Sequence, residues 1–294
     1  MANELQPWVA LLTIPFVLSL CYAIIWMTQI VGTDGRLTYE FAGFHYKEHA
    51  KFDNTLPTWS TDYVISIVLL FQGLLISKLN TVNRRLQHLI LMLLLLYGGS
   101  TFLGGIAHYN YDGDIAMLNG SKFYLIWIAV VGCTVVAGGV QGLIGDELLV
   151  LHGYDRLFAK STWKMWNYVL LLVITLGGFS CSRPACDIFL AGVTQSIPVF
   201  YLQLCLYLTC YRLASVSREV FWLLFVGAIL NAPLIVMYPH LLLMFGAPVT
   251  NVVLHTNLLL SWSAQGLGFY CLLFTFDFNT ASRPEPISQK AKVE

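Results

Sequence analysis

Six ionisable side chains stand at the ends of long apolar runs: Asp62, His108, Asp112, Asp114, His240 and His255. Imidazoles and carboxylates are the nitrogen and oxygen ligands of a catalytic zinc site, which takes three of them and leaves one position for water. A metal held that way acidifies its water and polarises a carbonyl, which is what amide or ester hydrolysis requires. His108, His255 and His240 are therefore the candidate metal ligands, and zinc the candidate cofactor. Asp62 and Asp112 are the carboxylates placed for catalysis, and Asp62 could instead bond the His108 imidazole and fix its tautomer. The plainer reading makes these groups solvated helix ends, with Asp62 a carboxylate favoured by a helix N-terminus. No His-Glu-x-x-His motif is present to strengthen the metal reading.

The elements that must carry these residues are read from composition. The chain has 294 residues, 57% apolar and 11% charged, against roughly 25% charged in a soluble domain. Eight apolar segments recur, at residues 8–31, 59–79, 88–108, 123–145, 166–180, 188–211, 219–238 and 252–276. Most are near the length of about 20 residues that crosses a hydrocarbon layer. The fold class expected is all-α, a polytopic membrane bundle of about eight transmembrane helices. The first segment follows Glu4 rather than a basic stretch, so it reads as a retained helix rather than a signal peptide. Net charge is zero and no basic block is present, so nucleic acid is not an expected partner. Membrane lipid, or a lipid-like small molecule, is.

Orientation follows from Lys and Arg in the short connections. Lys78, Arg84 and Arg85, then Arg156, Lys160 and Lys164, then Arg212 and Arg218, then Arg283, Lys290 and Lys292 fall on one side if there are eight crossings. Both termini are then cytoplasmic, and Asp62, His108, Asp112, His240 and His255 share the opposite, exoplasmic side. Cys181 and Cys186, in Cys-Ser-Arg-Pro-Ala-Cys, share it too, where an oxidising compartment permits a disulfide. Gly98, Gly99, Gly104 and Gly105 in one segment, and Gly132, Gly138, Gly139, Gly142 and Gly145 in the next, predict two helices packed directly on each other.

A carboxylate opening one helix, a glycine- and serine-rich next helix ending in His108, and a last helix opening on His255-Thr256-Asn257 resemble the alkaline-ceramidase-like superfamily of seven-helix membrane proteins. The resemblance spans most of residues 59–276. It implies a seven-helix core preceded by one additional helix, and a zinc-dependent hydrolase of lipid amides or esters. The family pattern carries Ser-x-x-x-His where this chain has Gly104 before His108, and two histidines four apart where His255 is followed by Leu259.

The sequence thus divides into an N-terminal helix and exoplasmic loop (1–58), a seven-helix core (59–276) and a polar cytoplasmic tail (277–294). The activity expected is metal-dependent lipid hydrolysis. Two alternatives use the same cavity: a non-catalytic receptor or lipid-binding protein, and a small-solute transporter with a polar path from Asp62 past Gln265 to Gln141.

Overall fold

The computed structural model describes residues 39–40, 45–46, 53–111, 117, 120–159, 161–176, 184–212 and 216–281. Among them, Tyr39–Glu40 (β1) and His45–Tyr46 (β2) form a short antiparallel pairing. Most of the rest is helical. The helices are α1 Leu56–Ser77, α2 Arg84–Asn110, α3 Ser121–Leu151, α4 Thr162–Leu176, α5 Pro184–Tyr207, α6 Arg218–Phe245 and α7 Ala247–Ala281. A π-helical turn, Leu208–Arg212, closes α5.

Three of these, α1, α2 and α3, are long and apolar enough to cross a membrane, by length and composition. They have 22, 27 and 31 residues, about 33 to 46 Å at 1.5 Å per residue. The first predicted segment, Cys181 of the expected disulfide and tail residues 282–294 lie outside the described residues; residues 277–281, expected in the tail, continue α7, and the backbone of Cys186 belongs to the first turn of α5.

Adjacent helices close a ring in the order α1, α2, α3, α5, α6, α7 and back to α1, with α4 packed on α3. Leu, Ile and Val side chains fill one stretch of its interior, among them Ile65, Leu69, Ile90, Leu94, Val140, Ile144 and Leu272.

α2 and α3 pack directly on each other as expected, but their glycines do not line that contact. A Cβ at Gly98 would touch Leu69, and one at Gly105 would lie 2.9 Å from the Tyr63 ring, so α2 spends these two and Gly104 on α1, while Gly99 meets nothing within 4 Å. Those of α3 face α4 and α5: a side chain at Gly142 would overlap Trp163, and one at Gly145 would lie 3.0 Å from Tyr201. Where α2 meets α3, hydroxyls join them. Ser100 Oγ donates to the Val130 carbonyl at 2.9 Å and lies 2.8 Å from Thr134 Oγ1. Gln195 of α5 completes this belt, accepting from Tyr97 at 2.5 Å and donating to the Thr134 carbonyl at 2.7 Å.

Candidate metal centre

The site is built on the start of α1. Thr55 is the N-cap residue, with extended backbone (φ −66°, ψ 147°), and Pro57 follows in the first turn, where its missing N–H costs nothing. Capping comes from outside the helix. The Asp53 carboxylate accepts from the Thr55 backbone N–H at 3.0 Å, from the Thr58 hydroxyl, and from Asn251 Nδ2 of α7 at 3.1 Å. Burial opposes ionisation of Asp53, but these donors outweigh it and hold the carboxyl below its usual range.

This start corrects the sequence reading of Asp62. The helix begins three residues earlier than the apolar pattern indicated, so Asp62 sits in the second turn and faces inward. It is not a carboxylate on the helix dipole. Asp62 of α1, His108 of the last turn of α2 and His255 of α7 converge, and one ligand atom from each lies within 4.8 Å of the others. All three are buried, at 4%, 6% and 7% exposed. The two imidazole centroids are 6.0 Å apart.

The protons on these imidazoles follow from their acceptors. His108 Nδ1 lies 2.6 Å from the Asp53 backbone carbonyl, an acceptor only, so Nδ1 carries the hydrogen. Fixing this tautomer was the role expected of the Asp62 carboxylate, and at Nδ1 the Asp53 backbone performs it. His255 Nδ1 lies 3.2 Å from the Thr58 carbonyl and 2.9 Å from Thr61 Oγ1. The Thr61 hydroxyl proton is directed at the carbonyls of Pro57 and Thr58, 2.8 and 2.9 Å away, so its oxygen accepts from His255. A neutral imidazole with its hydrogen on Nδ1 has its lone pair on Nε2.

In its neutral form His255 thus turns an Nε2 lone pair toward Asp62 Oδ1, 3.4 Å away; protonated, the same imidazole would pair with that carboxylate. Asp62 Oδ2 is buried with no hydrogen-bond partner. Acceptors gathered in this way repel one another and attract a cation. Backbone carbonyls that fix the remaining imidazole nitrogen are the usual outer support of a metal-binding histidine. Gly104 gives Asp62 its room, since a Cβ there would lie 3.3 Å from Oδ2.

The other predicted site residues fare differently. The backbone of His240 lies within α6, which continues through Pro239 to Phe245, where the sequence pattern indicated a loop. A proline inside a helix can be tolerated when neighbouring groups take up the freed carbonyl. The His240 side chain and all of Asp112 lie outside the described residues. Sequence reasoning missed Asp53, Thr58, Thr61 and Asn251, which orient the imidazoles without belonging to the cluster. Only the i, i+4 spacing of Asn251 and His255, which puts both on one face of α7, was a usable signal.

Comparison with protein-family models, curated proteins and solved structures finds no match to this chain.

Proposed function

We propose that this chain is a multi-pass membrane protein of about eight spans, both termini cytoplasmic, that hydrolyses a lipid amide or ester at a zinc ion held by Asp62, His108 and His255. The observation that carries the reading is the acceptor character of the buried cluster. A carboxylate oxygen without a partner and an oriented imidazole lone pair are the donor set of a three-ligand zinc site. Zinc bound there would polarise a carbonyl and lower the pKa of a water.

The chain's own part is to orient and to exclude water. The carbonyls of Asp53 and Thr58 fix the imidazoles, and the Gly104 backbone covers one side of Asp62. Trp59, Tyr63 and Tyr109 edge against one another beside the site, with Trp59 and Tyr109 centroids 5.4 Å apart. Such aromatic groups favour the membrane–water interface, the depth at which a lipid amide or ester is presented. The resemblance to the alkaline-ceramidase-like superfamily points to the same substrate class.

Zinc analysis of the purified protein and turnover of lipid amides and esters test this reading. It expects about one zinc per chain, with both zinc and turnover lost in His108→Ala. A parent protein without zinc removes the enzyme.

A second reading, a lipid-binding protein without catalysis, draws on one observation. No hydroxyl stands at position 104; deeper in α2, Thr101 donates to the Tyr97 and Gly98 carbonyls of its own helix and Ser100 is engaged with α3. Stoichiometric zinc with no turnover of either lipid class would select it. The transport reading is the weakest. About 10 to 16 Å below the histidines, at 1.5 Å per residue, the Tyr97 and Trp262 rings pack 4.2 Å apart. Both are buried on the route from Asp62 toward Gln265 and Gln141.

A further inference from the structure

One buried carboxylate near the cluster is not aimed at it. Asp53, 5% exposed, precedes α1, and its three side-chain contacts tie together the segment that touches both histidines. Through Thr55 and Thr58 it shapes residues 53–61, whose carbonyls at Asp53 and Thr58 receive the two Nδ1 hydrogens. Through Asn251 it grips α7 one turn before His255. The same residue thus contacts all three elements of the cluster: α1 by its side chain, α2 by its backbone carbonyl and α7 by its side chain again.

We infer that Asp53 is a positioning residue, with its carboxylate, through Asn251 and Thr58, and its carbonyl, through His108, setting the two imidazoles at metal-binding separation. The inference rests on the reading of Asp62, His108 and His255 as a metal site. Three constraints meet at one residue. A carboxylate held by three donors has few orientations open to it, so its own backbone is fixed. A fixed Asp53 carbonyl fixes the ring plane of His108. The Asn251 bond sets the height of α7 against α1, and with it the distance of His255 Nε2 from Asp62. Loss of such outer support weakens metal affinity by about 10- to 100-fold in comparable sites.

The test uses the full-length protein in detergent, with zinc as the probe in chelator competition and cobalt(II) as the spectroscopic probe. Asp53→Ala and Asn251→Ala are each expected to weaken zinc binding about 10- to 100-fold. The double variant is expected to be no worse than the poorer single one, because both remove the same bond. The visible bands of bound cobalt should shift in both, since they report ligand orientation. A merely structural residue would lower the melting temperature of the metal-free protein and leave the cobalt bands of the folded fraction unmoved. Parent-like zinc affinity and cobalt bands in folded Asn251→Ala, whose substitution leaves α1 untouched, would overturn the inference while the metal site stands. A parent protein that binds neither ion overturns the metal reading and this inference with it.

Discussion

The two ends of the bundle both bury carboxylates, and they treat them in opposite ways. At one end Glu147 Oε2 meets Arg85 Nε at 2.9 Å, and Asp146 Oδ1 accepts from the Tyr201 hydroxyl at 2.6 Å, with the Arg156 charge acting on it. These acids are given cations and a donor by the protein itself. At the other end Asp62 stands 3.4 Å from the His255 imidazole, with no arginine or lysine paired to it among the described residues; like Asp146, it keeps one oxygen without a partner. The first end holds helices together; in the reading proposed above, the second takes its positive charge from a metal ion. Burial alone does not mark a site, because both ends have it. The difference lies in the neighbours: Arg85 and Arg156 act on the acids of the first end, whereas Asp62 faces two imidazoles.

The largest effect should come from the histidines. Removing one of three ligands, at about 4 kcal/mol each from the binding energy of structural zinc, lowers zinc affinity about 10³-fold. Chelator competition on His108→Ala and His255→Ala would measure it. A change of less than tenfold in both would put the two ends on the same footing.

Asp62→Asn should change sign with metal. Without zinc the amide can donate to the His255 Nε2 that the carboxyl faces, and stability rises by about 0.5–1.5 kcal/mol. With zinc at 100 times its dissociation constant the parent gains about 2.7 kcal/mol, and the variant should gain none. Melting curves with zinc and with a chelator report both halves. A variant that is less stable in both conditions would mean that Asp62 is a structural carboxylate like Glu147.

At the opposite end only stability should move. Gly142→Val forces a side chain into Trp163 and costs about 1–3 kcal/mol or more by overpacking. Zinc affinity per folded molecule should stay at the parent value, which chelator competition on the refolded or purified variant can check. The smallest effect belongs to Arg85→Ala. Its side chain is 57% exposed, so the ion pair with Glu147 contributes only about 0.2–1 kcal/mol. Melting should fall slightly and zinc binding should not change.

The helices were legible because apolar runs of membrane length are hard to mistake. Each of the seven described helices overlaps a segment expected from hydropathy. Their ends were less legible. Pro239 was read as a stop, and in α6 it is not one; Trp59 was read as a start, and Thr55 is the N-cap. That error of one turn is what kept the dipole reading of Asp62 open beside the catalytic one. The meeting of His108 with His255 was expected from alternating crossings, and the two imidazole centroids lie 6.0 Å apart. The partners of the glycines were illegible, since a small residue announces a close approach without saying by what. Asp53 was illegible for a related reason. Its contribution is made by a backbone carbonyl, which every residue has, and by a bond to Asn251, almost two hundred positions away.

Zinc K-edge X-ray absorption of the purified protein addresses the coordination directly. The account predicts two imidazole nitrogens at about 2.0–2.1 Å and carboxylate oxygen at about 2.0–2.2 Å, with one imidazole lost in His255→Ala. A spectrum dominated by sulfur near 2.3 Å, or a protein that retains no zinc, would contradict it.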